Sequence, residues 1–225
     1  MPLPTLLPLV QWAAVASPTL YAGITLQYSL TFYILASTTT SPTTRGTTTP
    51  NPKLLARQWL ALYQLGPYWV APLIHAGTLS NLYLAFSSRP SSSSSSSSSS
   101  NLHLLAALLT LSILPLTFLY FEPGINGACK WKAAALLRKD DHDDEQGGTA
   151  VQLLLPERKG GGVGVVVKAS TVRHSASEAS KRWAEREGME GLVRAWAGRN
   201  HGRWVLGVVA GLVGFLAVRT RMMVQ

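Results

Sequence analysis

Acidic side chains are missing from the first 121 positions of this chain, and Lys and Arg from the first 44. Charged residues make up only 14% of the 225, where about 25% is usual for a soluble domain. Charge this scarce, and kept out of whole stretches, excludes an ordinary water-soluble fold and points to a chain that meets lipid. Cysteine is nearly absent too: Cys129 stands alone, so there is no intrachain disulfide framework. It lies just past an apolar run beside Lys130 and Lys132, where an unmodified interfacial thiol is the plainest reading. No basic stripe interleaved with aromatics occurs, so nucleic acid is not an expected partner despite the net charge of +9. A phosphate loop is excluded because the glycines at 160–164 lack the required Gly and Lys-Ser/Thr spacing. The acidic run at 140–145 includes His142, but contiguous residues on a flexible segment rarely converge on one ion. It reads as solvated charge, and no metal is expected.

What the chain does have is long apolar runs. Residues 102–121 contain no charged side chain, and a helix of that length covers about 30 Å, the depth of a bilayer's hydrocarbon core. Pro115 within the run is tolerable there, because neighbouring polar groups can take the carbonyl it frees. Glu122-Pro123 closes the run. An earlier run covers residues 9–35; Ala14-Val15-Ala16 resembles a signal cleavage site, but no Lys or Arg precedes it and apolar sequence continues beyond, so a retained span is expected. Between Arg57 and Arg89 there is no charge. That stretch divides into an interfacial lead-in carrying Trp59 and Tyr63, a turn or kink at Gly66-Pro67, and a span at 69–86. The last span, 204–218, is short, and Arg203 and Arg219 extend it by reaching outward. Gly207 and Gly211 give it a G-x-x-x-G face for close helix packing.

The expected fold is therefore all-α: one integral membrane domain over 1–225, a bundle of four transmembrane helices with disordered loops. The Thr/Pro-rich stretch at 37–52 and the serine tract within 87–100 read as low-complexity linkers that bury nothing. Residues 122–203 form a long hydrophilic loop with an amphipathic helix near 177–197. The lipid bilayer is the one partner that composition itself implies. A multi-pass protein of an endomembrane is expected.

Three short motifs carry a resemblance. Tyr63-Gln64-Leu65-Gly66 precedes the second span; Pro115-Leu116-Thr117-Phe118 and then Glu122-Pro123-Gly124-Ile125-Asn126 mark the end of the third; Trp196, Asn200 and Arg203 lead into the fourth. These resemble the Tyr-x-x-Gly, Pro-Phe-Thr, Pro-Thr-Asn-Asn and Trp-x-x-Leu-Asn/His-x-x-Arg motifs of the DUF1772, or anthrone oxygenase, family of membrane proteins. Two departures stand out: Gly124-Ile125 replaces Thr-Asn, and Arg199 replaces Leu. The resemblance implies a membrane-embedded oxygenase that converts an anthrone to an anthraquinone with dioxygen and no cofactor. It also implies a lipophilic aromatic polyketide as substrate, and a place in polyketide secondary metabolism.

Such a reaction needs an apolar slot, a base, and a donor or cation for the oxyanion. His75, inside the second span, is the candidate base by expected burial; a neutral His bonded across helices is the rival reading. His103 and His201, near span ends, are weaker candidates, and Glu122 is an alternative base or a partner for Arg203. On one helix, 196, 200 and 203 share a side at i, i+4 and i+7. That gives Trp196 to stack on a flat substrate, Asn200 to bond its oxygen and Arg203 to supply charge; the same placement also suits interfacial anchors and a cap. Tyr63 and Asn126, the polar residues of the matched motifs, join Trp196 as expected substrate contacts. The alternative from another class is a non-catalytic multi-pass scaffold or lipophile-binding protein.

Seventeen of the twenty Lys and Arg fall in the loops after the first and third spans, which places both loops in the cytosol. A glycosylation reporter at the C-terminus is expected to be modified, and one in the long loop to stay unmodified; the opposite pattern would invert the topology.

Overall fold

The computed structural model of the chain describes residues 6–38, 51–87, 94–138 and 176–224. The loop expectations at 39–50, 88–93 and 139–175, with the acidic run and the glycine cluster, lie outside the described residues. All regular structure in the described residues is helical: α1 (Leu6–Thr38), α2 (Pro52–Ser87), α3 (Ser94–Pro115), a π-helical stretch (Leu116–Asn126), α4 (Gly127–Arg138), α5 (Glu178–Arg186), α6 (Met189–Arg199) and α7 (His201–Val224). Three stretches, Leu6–Ser37, Ser98–Leu137 and Met189–Met223, are long and apolar enough to cross a membrane. The protein is an all-α, multi-pass membrane-helix bundle.

Its residues form two compact units. The first takes Met1–Tyr28, Tyr68–Leu116 and Asn200–Gln225, the second Ser29–Pro67 and Thr117–Arg199.

The first unit has its polarity reversed relative to a soluble protein. Leu9, Trp12, Leu79, Phe86, Leu108, Leu212 and Phe215 are exposed, while Ser17, Thr25, Asn81, Ser99, His103, Thr110 and Asn200 are buried. Only a lipid surround makes that arrangement stable. Pro18 interrupts α1, and having no N–H it leaves the carbonyl of Ala14 without its helical donor. Asn81 Nδ2 of α2 fills the gap, donating to Ala14 O at 2.9 Å and to Gly77 O at 3.0 Å. Glycines let the neighbouring helices reach this turn of α1. A Cβ on Gly207 would lie 2.9 Å from Tyr21 Cδ1 and 3.0 Å from the Pro18 carbonyl. The expected G-x-x-x-G face is thus the surface by which α7 meets α1.

Two sequence expectations are corrected here. The end of the serine tract is helical, since Ser94 opens α3. Ser99 is buried, donating to Ala217 O at 3.0 Å, and Ser100 donates to Ala85 O at 2.7 Å. Composition alone hides this, because serine favours coil only until its hydroxyl finds an acceptor. Nor does a turn separate Trp59 from the rest of α2: helix runs without interruption through Gly66 and Pro67.

In the second unit the chain breaks at Gly124, whose φ of −88° and ψ of −114° are not helical. The Pro123 carbonyl there accepts from Ser177 N at 3.0 Å and Ser180 Oγ at 2.7 Å. Ser177 also caps α5, its side chain accepting from Ser180 N. A Cβ on Gly127 would lie 2.6 Å from Ala176 Cα, so only glycine lets this segment close on the break.

Gly207→Ala is expected to lower stability by about 1–3 kcal/mol, as overpacking does. Gly202→Ala, with nothing within 4 Å of its new methyl group, should not. Thermal unfolding of both variants in detergent checks this, and equal midpoints would remove the close-packing role.

Candidate active site

The second unit is organised around one carboxylate. Glu122 Oε1 accepts from Tyr63 OH at 2.5 Å and from Asn126 Nδ2 at 2.7 Å, and Oε2 accepts from Lys130 Nζ at 2.5 Å. The Glu122 and Lys130 side chains are only 16% and 10% exposed, so this ion pair is screened far less than a surface pair. Asn126 is 2% exposed, and its amide can face only one way. The carboxylate accepts and the Trp196 indole only donates, so Nδ2 turns to Glu122 and Oδ1 takes Trp196 Nε1 at 2.9 Å.

Aromatic rings surround this network. Trp59 stacks on Tyr63 with centroids 5.0 Å apart and planes 15° from parallel. Lys130 Nζ lies 4.8 Å from the Tyr63 ring centroid. Trp196 meets Trp59 edge-on at 6.1 Å and Phe32 at 5.5 Å. Trp59 is fully buried, so it is a core residue and not the interfacial lead-in expected from its place before the second span. A flat, polarisable wall thus borders a carboxylate, an ammonium and a phenol: one anion able to accept a proton and two donors able to hold an oxyanion.

The expected substrate contacts Tyr63, Asn126 and Trp196 therefore converge, and two further members, Glu122 and Lys130, complete the cluster. Lys130 was legible in principle. Glu122, Asn126 and Lys130 are spaced i, i+4 and i+8, one helical face, but Pro123 and Gly124 in between read as a terminus.

The expected catalytic residues lie outside the second unit. His75 is exposed, which corrects the expectation of burial. Ile74, Gly77 and Thr78 take the inward face of α2, and His75 is turned about a quarter of a revolution away from Ile74. Among the described residues the fully buried histidine is His103. Asn200 and Arg203 belong to the first unit, where Asn200 Nδ2 donates to Thr25 O at 3.4 Å and Arg203 Nε to Tyr21 OH at 3.2 Å. Arg203 Nη1 also donates to Asn200 Oδ1 at 3.3 Å. Asn200 falls between α6 and α7, and its carbonyl accepts from Arg203 N at 3.1 Å. Trp196 lies on α6 and Arg203 on α7.

The family model described as Anthrone oxygenase matches residues 59–213, from Trp59 of this cluster to Val213 of α7. The chain belongs to the anthrone oxygenase family. No curated protein and no solved structure matches it. All of the cluster except Phe32 falls within the matched residues. Within the matched stretch Ile125 is buried beside Asn126.

Lys130→Met removes the one cationic partner that the largely buried Glu122 carboxylate has among the described residues and is expected to cost about 1.5–3 kcal/mol. Adding Glu122→Gln should return much of that loss, because no charge is then left unpaired. A double-mutant cycle on unfolding in detergent measures the coupling, and additive single effects would show that the pair contributes nothing.

Proposed function

We propose that this chain is a cofactor-independent oxygenase acting on an anthrone or a close aromatic ketone, and that the Glu122 cluster is its active site. The observation that carries the proposal is a carboxylate and an ammonium held together against stacked aromatic rings. An anthrone is a flat carbon acid. Glu122 takes a proton from its methylene, and Lys130 and Tyr63 hydrogen-bond the oxygen on which the negative charge settles. The carbanion bonds to dioxygen, giving a hydroperoxide after protonation. Loss of the second methylene proton with cleavage of the O–O bond then yields the quinone carbonyl and one water. Trp196 and Trp59 provide the stacking surface, and Asn126 holds Trp196 and Glu122 in place. In this reading Asn200 and Arg203 fasten α7 to α1 and take no part in the chemistry, and His75 is not the base.

The same proposal takes residues 69–86 of α2 as a fourth membrane crossing. Trp69 and Phe86 mark its two ends, Leu79 is exposed between them, and lipid would cover that face. A lipophilic polyketide would arrive from the bilayer.

A non-catalytic scaffold is the second reading. It is favoured by one feature: every polar atom of the Glu122 and Asn126 side chains already has a partner within the cluster.

Membranes containing the protein are expected to convert an added anthrone to its quinone, taking up one dioxygen per quinone formed. Glu122→Gln should insert normally and turn over at least about 10²-fold more slowly, as loss of a general base does. Correctly inserted wild-type protein that forms no quinone would favour the scaffold instead.

A further inference from the structure

The first unit contains a second buried polar constellation, on which the proposed reaction does not draw. His103 of α3 is fully buried, as is Asn81 of α2. The Asn81 amide is oriented without ambiguity: Nδ2 donates to two carbonyls, Ala14 O at 2.9 Å and Gly77 O at 3.0 Å, and a carbonyl can only accept. Oδ1 therefore faces His103 Nδ1, at 2.9 Å, and Nδ1 must carry the proton that it donates. In a neutral imidazole this leaves Nε2 as a bare lone pair. Among the described residues that lone pair has no partner, and neither do Thr78 Oγ1 of α2 and Arg221 Nη1 of α7. Thr78 lies one turn before Asn81 on the same buried face. A second proton on the ring would add a cation without an acceptor among apolar helices.

A buried acceptor whose orientation is this firmly set calls for a donor. The chemistry narrows the choice. A ketone or quinone brings only acceptors, and a carboxylate or phosphate brings negative charge that a lone pair repels. A metal ion would need further ligands, and no group of three His, Cys, Asp or Glu converges among the described residues. An uncharged hydroxyl fits: its hydrogen goes to Nε2, and it brings no charge into the apolar bundle. We propose that His103 Nε2, oriented by Asn81, is a binding site for a neutral hydroxyl donor, either a water molecule or the phenolic hydroxyl of a lipophilic compound. The proposal does not depend on the activity assigned to Glu122.

The full chain labelled with ¹⁵N-histidine and placed in lipid nanodiscs tests it. His103 is identified among the five histidines by the signals lost in His103→Gln. If that variant does not fold, a chain with the other four changed to Gln leaves His103 as the sole signal. Nδ1 is expected at the position of a protonated nitrogen, and Nε2 at that of an unprotonated nitrogen displaced by a hydrogen bond. 2-Naphthol should shift Nε2 saturably if the donor is a phenol, while 2-methoxynaphthalene, which has no donor, should leave it in place. If the donor is water, Nε2 should show a solvent isotope shift in D₂O and no response to 2-naphthol. Either pattern supports the site. A proton on Nε2, or an Nε2 resonance indifferent to both D₂O and 2-naphthol, overturns it.

Discussion

In a lipid surround a backbone carbonyl without a donor cannot turn to water, and this one constraint sets much of the structure. Pro18 leaves the Ala14 carbonyl in that state. Asn81 repairs it, and in doing so loses its own freedom to flip, which in turn fixes the protonated nitrogen of His103. Gly77, Gly207 and Gly214 are small because this turn of α1 must be approached from α2 and from α7. A proline in α1 thus determines the hydrogen-bonding state of a histidine on α3.

The second unit answers the same constraint with charge. Around the backbone break at Gly124, Ser177 and Ser180 converge on the Pro123 carbonyl, so the chain can leave helical geometry without an unsatisfied group. That break separates Glu122 from Asn126 and Lys130 in sequence, yet all three side chains meet. A carboxylate in such a place stays charged only if donors are already in position. The same donors would make it useful to a reaction that develops negative charge.

The membrane character was legible because lipid excludes charge, and the positions of Arg and Glu alone delimit the apolar runs. The family resemblance was legible too, since Tyr63, Asn126 and Trp196 belong to its motifs, and these are the expected site residues that meet. Helix phase was not legible. In α2 neither face is marked by charge, so nothing in the sequence told the outward His75 from the inward Thr78 and Asn81. Trp59 was misplaced for a related reason: an aromatic residue beside a span suits a headgroup layer and a protein core equally well. Lys130 was overlooked because Pro123 and Gly124 end most helices, and a break that resumes in register carries no local signature. Asn200 divides α6 from α7 between Gly198 and Gly202, but glycine is common inside membrane helices, so the junction looked like continuous helix.

The serine run has a consequence for how this chain can change over generations. Ser99 and Ser100 bond the backbones of α7 and α2, and they stand four and three residues before His103. Repetitive coding sequence is prone to gain or lose units when it is copied, and in most helices one inserted residue would turn everything before it by about 100°. Here each neighbour is another serine. Whatever the length of the run, serines occupy the same two places ahead of His103, and the added or missing residue is passed back towards position 94. A segment that looks like filler thereby supplies two interhelical bonds whose register a slip in copying does not disturb.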